Sequence, residues 1–340
     1  MTAVLDVPTT RGVAAASSGG LLLVGENAPG SLLASVRPGL EATVPTTVLN
    51  PSAGMTQHLY SSGVSGVIRR RLGARGGPER IVEAAAQLEP DVVLIIKGRG
   101  LSGADIESIK ATGSAVACWY PDNPFWAGAD PSAYDRLAAC DLAIVFSQRQ
   151  ASSMADDAAR VAVLPFGYHP DWFPLKDPAA EREGVAFLGT WSPRRERYLS
   201  ALVGLPLTIA GTGWREHSDI PGVQDPIVEA TAGEILGRAA IGVNLLHPQC
   251  DGAHNMRTRE ICAAGALQLT DPGTDGTPLR DGESCVWFRS PEELRECVDE
   301  ALADHQRRVQ IARAGQVAIQ HDTYEARGRQ LATLLGFGDR

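Results

Sequence analysis

Arginines crowd two places where helices should begin, and the chemistry is expected there. In Gly189-Thr-Trp-Ser-Pro-Arg194-Arg195, Ser192 is a good N-cap and Pro193 a good first residue, so both arginines fall in the first helical turn. In Asn255-Met256-Arg257-Thr-Arg259-Glu260 a second pair stands at or just inside another helix start. The positive end of a helix prefers acidic residues, so both pairs oppose the dipole. An anion would resolve the conflict, because free backbone N–H groups and a guanidinium together make a phosphate site. One pyrophosphate resolves both pairs at once, with Glu260 a turn further on to accept sugar hydroxyls beside it. Gly189 before the first pair, and Gly211 and Gly213 in Gly-Thr-Gly-Trp214, allow backbone to approach a ligand closely. The plain alternative is two amphipathic helices with solvated arginines and ordinary glycine turns.

Three further stretches compete for a role. Trp119-Tyr-Pro-Asp122-Asn123-Pro124 ends a strand in two prolines and exposes an acid and an amide. Asp122 there could take a proton from an acceptor hydroxyl, or both residues could serve only the turn. Glu26 and Asn27 leave the first strand in a comparable position. Gly98-Arg-Gly-Leu-Ser-Gly103 is a literal G-x-G-x-x-G with Asp122 about 20 residues on, the pattern of a dinucleotide site. It lies well inside its domain instead of opening the first βα unit, so an NAD-dependent oxidoreductase is the weaker reading. The seven histidines show no metal-ligand spacing and no strand ends in Asp-x-Asp, so no metal is expected. Six scattered cysteines without a C-x-x-C pattern read as buried reduced thiols.

The elements that must position these residues alternate along the chain. Apolar runs at Leu21–Val24, Thr46–Leu49, Asp91–Ile96, Ala115–Trp119, Asp141–Phe146 and Val161–Leu164 read as strands. Helical segments at Ser31–Val36, His58–Leu72, Ile81–Leu88 and Ser132–Ala139 intervene, the last with Asp130 as N-cap and Pro131 at its first position. Continuous apolar strands between helices imply a parallel sheet covered on both faces. Leu164-Pro-Phe-Gly-Tyr-His-Pro-Asp-Trp-Phe-Pro174 continues neither element type and reads as a hinge. Strands then resume at Val185–Leu188, Leu207–Ala210, Ile241–Leu246, Leu267–Thr270 and Cys285–Phe288. In the stretch Asn255–Asp271, Met256, Ile261 and Cys262 share a helical face and Gly265 suits the left-handed position that ends the helix. A capping box at Ser290-Pro-Glu-Glu293 opens a helix over Glu292–Leu302, and Tyr324–Leu335 is helical. The boundaries expected are a flexible tail 1–19, a first domain 20–168 completed by about 328–340, and a second domain 169–327.

The chain has 340 residues and a formal charge of -9, which argue for two α/β domains and against nucleic acid or an anionic membrane as partner. No apolar run approaches the ~20 residues of a membrane span, and residues 1–19 lack the apolar segment of a signal peptide. A cytoplasmic protein is expected.

Asn255-Met-Arg-Thr-x-Glu-Ile-x-Ala-x-Gly-Ala, with Leu-Thr-Asp271 after it, resembles the nucleotide-sugar-binding segment of the CgeB-like (spore-maturation-protein-like) glycosyltransferases. The resemblance runs from about Pro90 to Arg327. It implies two Rossmann-like domains of GT-B type facing across a cleft, with the last helix crossing back to the first domain. It also implies a nucleotide-sugar donor of UDP or TDP type held mainly by the second domain, and a small-molecule or glycan acceptor. Asp122 and Asn123, with Glu26, would then face the reaction as catalytic candidates. Arg195 matches the phosphate-side arginine of the family better than Arg194, and Lys97 before Gly98 resembles its Lys-Gly. His321-Asp-Thr-Tyr324 looks like its His-Thr-Tyr signature with Asp322 intruding. One departure stands out: many retaining GT-B transferases carry two glutamates eight positions apart, and Gly252 stands eight before Glu260, with Asp251 beside it. A nucleotide-sugar epimerase or hydrolase of the same fold, or a non-catalytic spore-surface protein, are the alternatives.

Overall fold

The structure, a computed structural model, describes residues 20–51, 77–224, 229–273 and 275–338. The expected tail 1–19 and the helix His58–Leu72 lie outside those residues. The chain divides into two compact units, the first made of residues up to Leu164 together with those from Glu325 onward, the second of Pro165–Tyr324.

The first unit runs β1 (Leu21–Val24), α1 (Leu32–Glu41), β2 (Thr46–Leu49), α2 (Gly77–Leu88), β3 (Val92–Ile96), α3 (Gly103–Lys110), β4 (Ala115–Trp119), α4 (Ala133–Ala139), β5 (Leu142–Val145), α5 (Gln148–Met154) and β6 (Val161–Val163). Its six strands pair in parallel in the order β2-β1-β3-β4-β5-β6. The order reverses between β1 and β3, the kind of switch point beside which open sheets bind ligands. Helix α1 runs past the expected Val36 and through Pro38. Helix α4 starts at Ala133, one residue later than expected, with Ser132 at its N-cap position; the Asp130 carboxylate still accepts from the Ser132 N–H, and also from the Arg136 guanidinium.

The second unit runs β7 (Glu183–Leu188), α6 (Pro193–Ser200), β8 (Leu207–Ala210), α7 (Trp214–His217), β9 (Val223–Gln224), α8 (Glu229–Arg238), β10 (Ala239–Asn244), α9 (Arg257–Ala263), β11 (Leu267–Thr270), β12 (Val286–Trp287), α10 (Pro291–Ala303) and α11 (His305–Ile319). Its parallel sheet has the order β12-β11-β10-β7-β8-β9, with the switch between β7 and β10. Alternate residues of β7 feed different cores, Val185 and Phe187 into one and Ala186 and Leu188 into the other, so this sheet is covered on both faces. Gly265 follows α9 at φ +81°, the left-handed ending its position predicts. Met256 is a correction: it precedes the helix and is 38% exposed, so only Ile261 and Cys262 face the core.

Helix α12 (Tyr324–Leu334) ends the chain and belongs almost wholly to the first unit. It crosses α1 backbone to backbone: a side chain at Gly39 would strike the Glu325 carbonyl, and one at Gly328 the Val36 carbonyl. The chain leaves the first unit after Leu164 and returns after Tyr324, and the two crossings lie side by side. Tyr168 N–H donates to the Asp322 carbonyl at 3.0 Å and the Tyr168 carbonyl accepts from the Tyr324 N–H at 3.0 Å.

Candidate functional site

Both arginine-bearing helices start at the switch point of the second sheet, α6 after β7 and α9 after β10. Ser192 caps α6 as expected, its hydroxyl accepting from the Arg195 N–H at 3.3 Å, with Pro193 first in the helix. The two neighbouring arginines then diverge. Arg194 forms a two-pronged ion pair with Asp271 at the end of β11, at 2.5 and 3.1 Å, and lies over the Tyr198 ring. Asp271 is 8% exposed and also accepts from the Leu246 N–H at 2.7 Å. Burial works against the Arg194 charge, but the Asp271 carboxylate more than offsets it and the guanidinium pKa rises.

Arg195 has no carboxylate partner among the described residues. Its guanidinium donates to the backbone carbonyls of Thr190 (2.7 Å) and Leu245 (3.0 Å) and lies over the Phe187 ring. Burial pushes its pKa down; Arg194 and Arg257 push the same way, while Cys250 and the Asp271 carboxylate push back. The two helix starts thus bring Arg195 and Arg257 to one switch point of the sheet. Gly189 and Gly211 make it possible. A side chain on Gly189 would meet the Arg195 guanidinium, and one on Gly211 would strike the Gly189 carbonyl. That carbonyl also accepts from the Trp214 indole at 2.7 Å, while Gly213 at φ +84° begins α7.

On α9 the two arginines part in the same way. Arg259 is not the solvated side chain of the plain alternative. It is 1% exposed and donates to Asp322 at 2.8 Å and to the Gly276 carbonyl at 2.9 Å. Asp322, the residue that interrupts the C-terminal signature, is the counter-ion of this buried cation. Arg257 stays at the site but forms an ion pair with Glu260 at 2.5 Å, the two side chains 20% and 10% exposed. Each is thus presented with its charge already matched.

Sequence reasoning missed the polar chain that holds this segment. Asn244 at the end of β10 donates to the Asn255 side-chain oxygen (3.2 Å) and to the Thr258 hydroxyl (3.1 Å). His254, 1% exposed, contacts Thr258 at 2.8 Å through Nδ1 and the Gly273 carbonyl at 2.7 Å through Nε2. That carbonyl can only accept, which places the ring proton on Nε2 and leaves Nδ1 to accept from the hydroxyl. Burial lowers the His254 pKa to about 4, so the ring is neutral at ordinary pH. The Asn255 oxygen is thereby occupied, and its amide N–H₂ remains to donate elsewhere.

In the first unit, Lys97 and Asp122, at the ends of β3 and β4, form an ion pair at 2.5 Å. Lys97 takes a left-handed backbone at φ +67°, unusual for a lysine. The Asn123 oxygen accepts from the Phe125 N–H at 2.9 Å, so Asn123 serves the turn itself. Glu26 is exposed after β1 and is joined to Asp122 by no ion pair or hydrogen bond among the described residues. The dinucleotide pattern is occupied from within: the Gly103 N–H, where a phosphate would sit, donates to the Asp135 carboxylate at 2.6 Å. The fully buried Arg136 guanidinium supports the same loop through the Leu101 carbonyl and Asp130. All six cysteines are free thiols and five are buried. Among the described residues no helix is long and apolar enough to cross a membrane.

Residues 194–333 match the glycosyl transferase-like family Glyco_trans_1_2. That segment is glycosyl transferase-like. It takes in α6, β10, α9 and the return to α12, and so contains both arginine-bearing helix starts. By structure the chain is similar to HepE from Anabaena in complex with UDP-glucose, at 13% identity and a TM-score of 0.66, covering 93% of this chain and 99% of that one. It is also similar to a UDP-forming α,α-trehalose-phosphate synthase from Burkholderia vietnamiensis, at 12% identity and a TM-score of 0.61, covering 93% and 97%. The α,α-trehalose 6-phosphate synthase of Burkholderia multivorans follows, at 10% identity, a TM-score of 0.60 and coverage of 93% and 97%. No curated protein matches the chain. The fold is of GT-B type, and the family match supports the glycosyltransferase class.

Proposed function

We propose that the chain moves a sugar from a nucleotide-sugar donor, UDP-sugar before TDP-sugar, to a hydroxyl of a small-molecule or glycan acceptor, without a metal ion. The observation that carries this reading is the Arg195 guanidinium, half-buried, held by two carbonyls and without a carboxylate partner among the described residues, at the switch point where α9 and Arg257 also begin. A diphosphate gives Arg195 an anionic partner and takes the place a metal would fill, with the Arg257–Glu260 ion pair beside it. Glu260 accepts ribose hydroxyls, and the Asn255 amide donates to a phosphate oxygen. The choice of UDP leans on HepE, which was crystallised with UDP-glucose, and on the UDP-forming synthase. Membership of the CgeB-like group is part of the same proposal, resting on the motif from Asn255 to Asp271.

In the reaction, a bond forms between the acceptor oxygen and the anomeric carbon. The bond from that carbon to the diphosphate breaks, and the nucleoside diphosphate leaves with its electron pair. The acceptor proton goes to Asp122, which Lys97 orients. Most of the acceleration would come from holding the reactants in line and from neutralising the leaving group.

The test is a thermal-shift panel of UDP-, TDP- and GDP-sugars in the presence of a chelator, followed by mass spectrometry with and without mixed acceptors. Stabilisation by UDP-sugar and an acceptor mass raised by one sugar are expected. Equal turnover with no acceptor would reassign the chain to an epimerase or hydrolase, and no nucleotide-induced stabilisation would leave a non-catalytic protein.

A further inference from the structure

The loop that follows Asp122 displays two large aromatic rings, with Phe125 45% and Trp126 37% exposed. The loop is braced at both ends. At its start the buried Asn123 accepts from the Phe125 N–H through its side chain and from the Trp126 N–H, at 3.2 Å, through its carbonyl. Pro124 holds the backbone angle between them. At its end the Trp126 carbonyl accepts from the Ala129 N–H at 2.8 Å, and Asp130 is pinned by the fully buried Arg136. Gly128 makes room for the indole, since a side chain there would come within 3.0 Å of its ring nitrogen. The Phe125 ring rests edge-on against Tyr134, with centroids 5.5 Å apart, and both rings keep exposed apolar surface on a braced loop.

The position of the loop says what kind of molecule fits. A four-residue turn brings its ends within ~7 Å and one more residue adds ~3.8 Å, so the Asp122 and Trp126 backbones lie at most about 11 Å apart. Asp122 carries Lys97 with it as an ion pair. Two partly exposed aromatic rings thus lie close to a carboxylate–ammonium pair. That combination matches a ring with an apolar C–H face and hydroxyls around its edge. We propose that Phe125 and Trp126 are the acceptor platform, and that the acceptor group they take is a cyclic polyol, either a saccharide ring or a cyclitol. The assignment rests on the glycosyl-transfer reading and names its acceptor class. It gives Asn123 a role too, as the residue that shapes the platform.

The test uses the full chain labelled with 5-fluorotryptophan, with Trp126→Phe identifying the Trp126 fluorine resonance. Methyl α-D-glucopyranoside and myo-inositol are titrated separately, with glycerol as the open-chain control. A saturable shift of the Trp126 resonance with either ring is expected, and the ring that produces it tells saccharide from cyclitol. UDP and glycerol should leave the resonance in place. Gly128→Ala, which crowds the indole without touching it chemically, should raise the half-saturation concentration about threefold to tenfold. No shift with either ring, or an equal shift with glycerol, overturns the platform. UDP binding measured by calorimetry on the same samples tests the donor reading separately, so failure of one is told from failure of the other.

Discussion

Replacing each of two adjacent arginines with alanine should give opposite results. Arg195→Ala removes a guanidinium with no carboxylate partner, so the loss falls on the ligand. A charge-assisted contact to a diphosphate contributes about 1.5–3 kcal/mol, which converts to a roughly 10- to 100-fold weaker affinity for UDP. The fold loses two hydrogen bonds to carbonyls and the contact with the Phe187 ring but is relieved of the cost of burying the charge, so unfolding without ligand should change little. Arg194→Ala deprives Asp271, only 8% exposed, of both guanidinium contacts and leaves it the Leu246 N–H. Arg194 itself is 38% exposed, so screening holds the expected loss to about 1 kcal/mol, a few degrees at most in melting temperature. Its affinity for UDP should stay within about twofold of wild type. Calorimetric titration of UDP together with thermal unfolding reads both quantities in the three proteins. Wild-type affinity in Arg195→Ala, or an equal loss in Arg194→Ala, would refute the assignment of the phosphate site.

Other expectations use the same chemistry. Glu260→Gln releases Arg257 from its ion pair and replaces a charged two-oxygen acceptor for ribose hydroxyls with a neutral single-oxygen one, so UDP binding should weaken while inorganic pyrophosphate binds as well or better; parallel changes in the two would count against these roles. Asp322→Asn strands the buried Arg259 cation and should cost about 3 kcal/mol in urea unfolding, whereas a loss below about 1 kcal/mol would mean that the pair does not hold the unit together. His254 is depressed to about 4 from its ordinary value near 6.5, so the unfolded chain binds a proton that the folded one refuses. The stability due to the neutral ring is complete above about pH 6.5, falls as pH drops towards about 4, and then levels. His254→Gln should flatten that segment of the stability profile.

Much of the fold was legible because strands buried on both faces read as unbroken apolar runs. Ala115–Trp119, Leu207–Ala210 and Leu267–Thr270 form strands with the bounds their apolar character suggests. Helix α11 was not legible: its buried residues Val309, Ile311, Ala312, Gly315 and Ile319 are small or scattered, and the chain around them is rich in Arg and Gln. At the site, the helix starts and their excess of positive charge were visible, because capping and dipole rules are local. Those rules do not separate the members of a pair; the preference for Arg195 over Arg194 came from the family resemblance, and the ion-pair partners of the others were not visible. Asp271 lies 77 residues from Arg194, and Asp322 lies 63 from Arg259, separations at which no local rule operates. His254 escaped notice because a lone histidine off any metal spacing carries no signal. Its meaning comes from Asn244, Thr258 and Gly273, which only the folded chain brings together.

The backbone crossing of α12 over α1 has a consequence in time. The first unit closes at Gly39 and Gly328, and the second of these residues is made only after all 160 residues of Pro165–Tyr324. At a synthesis rate of about 5–20 residues per second, the early half of the chain waits roughly 8–32 s on the ribosome with α1 uncovered. Its last partner arrives after its neighbour has had time to fold. A nonsense codon just after Tyr324 would therefore damage the half of the protein that was synthesised first, and would leave the later half complete.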